Sequence, residues 1–180
     1  DASLLARLGK AYSFDVDIID AQKITELKIS STRIREALAN GEINVANTLL
    51  GYPFELEGIV VHGEKRGRRL DYPTANLLLQ DSKKMIPKPG VYWGIAEIQG
   101  NKHCCMINIG HRPTYDNGIL KIEVHILDWQ GDLYGSSLSV SLMERVRDER
   151  AFENTEALQK QLQADEALCR ARYTEIFGSR

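Results

Sequence analysis

From Tyr52 onward the sequence breaks into short runs in which apolar and polar residues alternate, each closed by turn-forming residues. A period of two is the signature of a strand with one covered face, and several such runs at short intervals describe a barrel or a sandwich. The expected strands are residues 55–61, 74–79, 90–98, 102–109, 120–127 and 138–142. Between them lie breakers such as Pro87-Lys88-Pro89, Gln99-Gly100-Asn101 and Asp116-Asn117-Gly118, the last a hairpin signal. After about Glu144 the pattern turns helical, with Asn154 or Thr155 as a cap and Leu158, Leu162 and Leu168 as one buried stripe. This helix is expected to pack on the barrel.

Residues 1–50 have a different texture, mixed α/β. A helix is expected around residues 4–8 and a short strand near 16–19. A further helix, capped by Ser30 or Ser31 and ended by Gly41, carries Arg33, Arg35, Ala37 and Leu38, and another spans 45–50 and stops at Gly51. The block is too short to hold a core of its own. The expected division is therefore the end of one domain at 1–50 and a complete domain at 51–180, for which 180 residues at 43% hydrophobic content give enough apolar material. The chain opens at Asp1 without a methionine, as expected of a fragment or a trimmed product.

The formal charge of −2 argues against a general nucleic-acid binder, because such domains present a net basic face. Three cysteines, two of them adjacent at Cys104 and Cys105, provide neither an even disulfide set nor metal-ligand spacing. A reducing compartment, hence the cytoplasm, is expected. Nothing approaches the ~18 apolar residues that span a bilayer, and the start lacks the basic-then-apolar pattern of a signal peptide.

Against this near-neutral background, the stretch from His62 to Leu77, HGEKRGRRLDYPTANL, stands out. Gly63 and Gly67 allow backbone amides to approach a ligand without Cβ interference, while Lys65, Arg66, Arg68 and Arg69 offset negative charge. Thr74 and Asn76 are two residues apart, so in an extended segment a hydroxyl and an amide point the same way and can share a phosphate-bound cation. Taken alone, the same stretch also reads as a solvated basic loop entering a proline turn, with Thr74 a strand starter and Asn76 a turn residue.

Four segments in order narrow the choice. Gly63 through Asn76 resembles the GxxxGRxLGxPTAN signature of the riboflavin kinase family. Asn108 through Tyr115 resembles that family's NIGxRPTF segment. Glu123 through Asp128, followed by Asp132-Leu133-Tyr134-Gly135, resembles its EVHLLDF…DLYG segment. Upstream, residues 29–35 are similar to the ISSTxIR motif of nucleotidyltransferases, which bacterial enzymes of this type carry in a preceding domain. The chain is thus similar to the C-terminal part of the bacterial bifunctional riboflavin kinase and FAD synthetase family.

The resemblance implies a six-stranded antiparallel Greek-key barrel with a C-terminal helix, preceded by a short α/β remnant. It also implies ATP-dependent phosphorylation of riboflavin to FMN with Mg²⁺, so the expected partners are small molecules, with no nucleic acid and no membrane. Carried over by position, Glu123 is the base for the acceptor hydroxyl, and Gly63, Lys65, Gly67, Arg68, Thr74 and Asn76 hold ATP. Thr74 and Asn76 also serve the metal together with the substrate phosphates, Arg112 is a flap residue, and Arg147 and Phe152 contact the flavin. Phosphoryl transfer needs alignment and charge compensation more than covalent machinery, in keeping with glycines, basic groups and a cation. Without the resemblance, Glu123 is a solvated carboxylate on the polar face of a strand shared with His125, whose other face is Ile122, Val124 and Ile126.

The family usually has glycine where Asp71 stands; aspartate tolerates left-handed backbone better than most residues, but its carboxylate adds negative charge near the phosphates. Ser31 and Arg35 match one half of an adenylylation site, but no HxGH segment, the other half, occurs in the sequence. This chain by itself is therefore expected not to make FAD. Two further readings remain: a non-catalytic barrel that binds flavin or nucleotide, and an oligonucleotide-binding barrel. The second would need stacking aromatics within the basic stretch, which has none before Tyr72.

Overall fold

The computed structural model describes residues 2–16, 23–24, 27–28, 30–63, 67, 70–111 and 120–178. By contacts the chain divides into a unit at Asp1–Ser30 and a unit at Ser31–Arg180. The first holds α1 (Ala2–Tyr12), longer than the expected helix, and a minimal antiparallel ladder of β1 (Lys23–Ile24) and β2 (Leu27–Lys28). The strand expected at 16–19 lies outside the described residues except for Val16, which is irregular.

The second unit opens with α2 (Ser31–Asn40) and α3 (Ile43–Leu50), the latter ending at Gly51 with φ 81°. Both lie in the barrel's compact unit although the sequence grouped them with the preceding block, because Ala37, Leu38, Ile43 and Ala46 bury into the barrel's own core cluster. Asn47 fixes α3 with both ends of its amide: Nδ2 donates to the Leu142 carbonyl at 2.9 Å, and Oδ1 accepts from the Phe54 amide at 2.8 Å.

Six antiparallel strands follow: β3 (Phe54–Val61), β4 (Ala75–Leu79), β5 (Gly90–Ile98), β6 (Asn101–His111), β7 (Leu120–Ile126) and β8 (Ser137–Arg147). They close in the order β3-β4-β7-β6-β5-β8, with β8 returning to pair with β3. The expected six-stranded barrel is present, and its crossing order is that of a Greek key. Leu56, Val60, Leu77, Tyr92, Ile107, Ile109, Ile122, Val124, Leu138, Val140 and Leu142 point inward and fill it.

Last comes α4 (Thr155–Phe177), capped by Asn154, whose side chain accepts from the Ala157 amide. It covers the outside of β5 and β6, where Trp93, Ile95, Cys104 and Met106 meet Leu162, Cys169 and Tyr173. Two expectations are corrected here. The last strand runs on to Arg147 where a helix was expected after Glu144. Glu144 and Arg145 still pair with β5 beyond one register shift and Arg147 beyond a second, and Met143 and Val146 pack with the α4 cluster, so both faces are partly covered and the alternation is blurred. The helix stripe also runs differently: Leu168 is 38% exposed, while Asp165 and Cys169 are buried. Leu168 sits one helical step off the buried line through Leu162, Cys169 and Tyr173.

Candidate functional site

Strand register assembles the polar core of the site. On β7, Ile122, Val124 and Ile126 are buried in the barrel, so Glu123 and His125 face outward. Asn76 on β4 stands opposite Glu123, and Glu123 stands opposite Asn108 on β6. An amide, a carboxylate and a second amide thus occupy one row across three adjacent strands, roughly 5 Å apart at the backbone. All three are half-buried. Asn108 was not singled out as a site residue; its cue was its place at the head of the NIG segment.

The signature glycines have a packing reason that the sequence does not disclose. A Cβ on Gly63 would fall 2.0 Å from Asn76 Nδ2, so the bare Cα makes the seat for that amide. A Cβ on Gly67 would fall 2.1 Å from the Tyr72 carbonyl oxygen, and the Tyr72 amide donates back to the Gly67 carbonyl at 2.9 Å. Gly67 is therefore packed against the Tyr72 end of the Pro-Thr-Ala-Asn exit. Just before Tyr72, Asp71 adopts φ 62°, a left-handed conformation that aspartate tolerates where the family usually has glycine. Lys65 and Arg68 lie outside the described residues, as does Arg112.

Thr74 precedes β4 and lines a cavity of about 380 Å³ with Val60, Val124, Ile126, Trp129 and Tyr134. Its wall is the Asp132-Leu133-Tyr134-Gly135 turn, which is held to β3 by the Gly135 amide donating to the Val60 carbonyl at 2.9 Å. The Tyr134 ring lies 4.0 Å from His62, and Asp132 Oδ1 accepts from the Tyr134 amide at 2.9 Å. Val60, Val124 and Ile126 give the cavity apolar walls and Thr74 and Asp132 polar ones, a combination suited to a ring system with a charged tail.

A second carboxylate lies beyond the row. Glu149 accepts from Asn108 Nδ2 at 3.5 Å, and its carboxylate lies where a Cβ on Gly110 would be. Nearby, Phe152 is half-buried with the Arg150 guanidinium 4.9 Å from its ring centroid and that of Arg147 at 5.8 Å. Arg147 itself is committed to Asp165: Nε and Nη2 donate to Oδ2 at 2.9 and 2.7 Å, and Asp165 is 2% exposed. Its guanidinium thus fastens the end of β8 to α4. On α2, Arg35 Nη1 donates to Ser31 Oγ at 3.4 Å, both exposed.

Behind the row, a charged network ties the site to α4. Tyr72 Oη donates to Glu166 Oε2 at 2.8 Å, and Arg170 Nε donates to Glu166 Oε1 at 2.8 Å while Nη2 reaches Asp128 Oδ1 at 2.8 Å. Burial, reinforced by the Glu166 carboxylate, pushes the Tyr72 phenol up to about 12. The Arg170 hydrogen bond holds Asp128 below the ordinary carboxylate value.

Residues 50–173 match the family described as Flavokinase: Riboflavin kinase. A Listeria monocytogenes protein named bifunctional riboflavin kinase/FMN adenylyltransferase is 41% identical over 164 residues, covering 91% of this chain and 52% of the relative. An Escherichia coli protein of the same name is 37% identical over 179 residues, covering 99% of this chain and 55% of the relative. The chain therefore spans about half the length of these relatives. A Streptococcus pneumoniae crystal structure described as a macrolide-efflux protein superimposes with a TM-score of 0.82 at 40% identity, covering 91% of this chain and 53% of that one. Among the described residues, no helix is long and apolar enough to cross a membrane.

Proposed function

The chain belongs to the riboflavin kinase family, and from that premise we propose that it transfers the terminal phosphoryl group of ATP to the terminal ribityl hydroxyl of riboflavin, giving FMN and ADP. The observation that carries this reading is the rung on which Asn76 and Glu123 stand opposite each other, with Asn76 seated by Gly63. It sets a proton acceptor beside an amide whose NH₂ suits a phosphate oxygen and whose carbonyl oxygen suits a cation, as the transfer requires.

Glu123 takes the proton from the ribityl hydroxyl as the bond to phosphorus forms, a contribution of ~10²–10⁴-fold. The phosphates lie along the 63–69 loop, where Lys65 and Arg68 offset their charge and glycines allow close approach, and the nucleoside occupies the cavity beside Thr74. Arg112 closes over the phosphates from the loop after β6. Phe152, together with the Arg147 and Arg150 guanidinium faces, offers a flat surface to the isoalloxazine ring.

The hard oxygens of Thr74 and Asn76 suit Mg²⁺, which nucleotide enzymes bind through one or two protein ligands together with substrate phosphates. No cluster of three His, Cys, Asp or Glu side chains capable of holding a metal occurs among the described residues, in keeping with a cation carried in on the nucleotide. When bound, the ion neutralises charge on the phosphates. Three free, buried cysteines support a cytoplasmic setting.

Ser31 and Arg35 are read as part of an FMN adenylyltransferase site completed by an HxGH segment in a longer chain, with 1–50 the end of that domain, its α2 and α3 packed on the barrel, and 51–180 the kinase. Incubating this chain with riboflavin, ATP and Mg²⁺ and separating the flavins by chromatography tests both proposals. FMN without FAD is expected. Riboflavin recovered unchanged overturns the kinase reading, and FAD overturns the assignment of a half-site.

A further inference from the structure

We infer that His125 is a positioning residue: it ties the segment carrying Thr74 to the strand carrying Glu123, so that the cation-side oxygen and the acceptor-side base keep a fixed separation. The inference rests on the kinase reading for the roles of Thr74 and Glu123, but its geometry stands independently.

His125 follows Glu123 by two residues on β7 and shares its outward face. Its Nδ1 lies 2.8 Å from the carbonyl oxygen of Pro73, the residue before Thr74. A carbonyl oxygen only accepts, so Nδ1 must carry the proton and donate; in the neutral ring the free lone pair is then on Nε2. Pro73 has no amide hydrogen, and the β4–β7 ladder begins only at Ala75 opposite Val124. The imidazole thus extends the ladder backwards past the point where the backbone can no longer pair. Thr74 is held between that side-chain bond and the first backbone rung.

The imidazole is itself braced. The Tyr72 ring lies 5.0 Å from it, and Tyr72 is anchored through Glu166 on α4. Arg170 in turn bridges Glu166 and the Asp128 carboxylate that follows β7. The tether needs only Nδ1–H, present in both the neutral and the charged ring, so it does not depend on titration. A general base at this position would lose function on protonation. A tether would not.

The test compares His125→Asn, His125→Gln and His125→Leu in the intact chain. An asparagine amide places its NH₂ near where Nδ1 lies, glutamine places it near Nε2, and leucine has no donor. Affinity for Mg²⁺ with a non-hydrolysable ATP analogue, measured by calorimetry, is expected to fall ~10-fold in the leucine and glutamine variants, the loss of one ordering hydrogen bond. The asparagine variant is expected to recover most of it. Riboflavin affinity and the shape of the pH–rate profile should remain as in the unmodified protein. Asparagine as damaging as leucine, equal nucleotide affinity in all four proteins, or no nucleotide binding by the unmodified chain would each overturn the inference. Failure of the kinase reading appears separately, as nucleotide binding without FMN formation.

Discussion

Asn76 and Glu123 face each other across one rung of the β4–β7 ladder, so the distance between an amide that can hold phosphate and a carboxylate that can take a proton is set by backbone hydrogen bonds, not by a loop. Glu123→Gln keeps the shape and removes the base. It is expected to lower kcat by ~10²–10⁴-fold while riboflavin fluorescence quenching on binding is retained. Quenching lost together with turnover would mean that Glu123 holds the flavin rather than acting on its hydroxyl.

Gly63→Ala strikes the same rung from the other side. The new methyl would lie 2.0 Å from Asn76 Nδ2, a contact relieved by swinging the amide out of its seat. A higher KM for ATP with nearly unchanged thermal stability is expected. Gly67→Ala meets the Tyr72 carbonyl at 2.1 Å instead, and backbone must move, costing ~1–3 kcal/mol of folding stability. Equal stability losses in the two variants would contradict the distinction between a side-chain and a backbone obstacle.

The barrel was legible because Leu56 and Val60, or Ile122, Val124 and Ile126, alternate with residues left on the outer face. The end of β8 was not. Met143 and Val146 lie under α4, and covering the second face erases the period that marks a strand. The signature glycines were visible, yet their neighbours were not: Gly63 approaches Asn76 and Gly110 approaches Glu149 only once the chain has closed. The structural share of Arg147 was not legible, because its buried partner Asp165 lies 18 positions away, on a helix whose facing only packing reveals.

That partnership gives Arg147 a structural share that can be measured. Arg147→Met leaves the Asp165 carboxylate buried with, among the described residues, only Gln161 Nε2 donating to it, and is expected to cost ~3 kcal/mol in urea unfolding. Arg147→Lys should restore little, because one ammonium cannot reproduce the paired Nε and Nη2 contacts. Unchanged stability with weaker riboflavin binding would instead make the ring contact its main role.

The three cysteines offer a probe of how firmly α4 is docked. Burial pushes the Cys104 thiol up to about 11 and raises those of Cys105 and Cys169 as well, and Cys104 Sγ donates to the Cys169 carbonyl at 3.5 Å. Near neutral pH none should react with an aromatic disulfide reagent in the native protein, whereas all three should react in denaturant. Rapid labelling of Cys169 in native protein would mean that α4 detaches readily.

The Tyr72–Glu166 bond makes the docking of α4 depend on pH at both ends. Because the folded phenol is raised to about 12 from 10.0, its contribution is complete below 10 and is lost as the pH climbs through 12. At Glu166, burial pushes the carboxyl up, but the Tyr72 hydroxyl and Arg170 outweigh it and hold the group below 4.5. That contribution is present above 4.5 and lost as the pH falls through the depressed folded value. The difference in unfolding free energy between the native chain and Tyr72→Phe should therefore be flat through neutrality and shrink at both extremes. On the alkaline side the decline should coincide with the phenolate absorbance that the phenylalanine variant lacks. A difference that persists unchanged after that phenolate has formed would show that the hydroxyl contributes nothing to holding α4 against the loop that leads to Thr74.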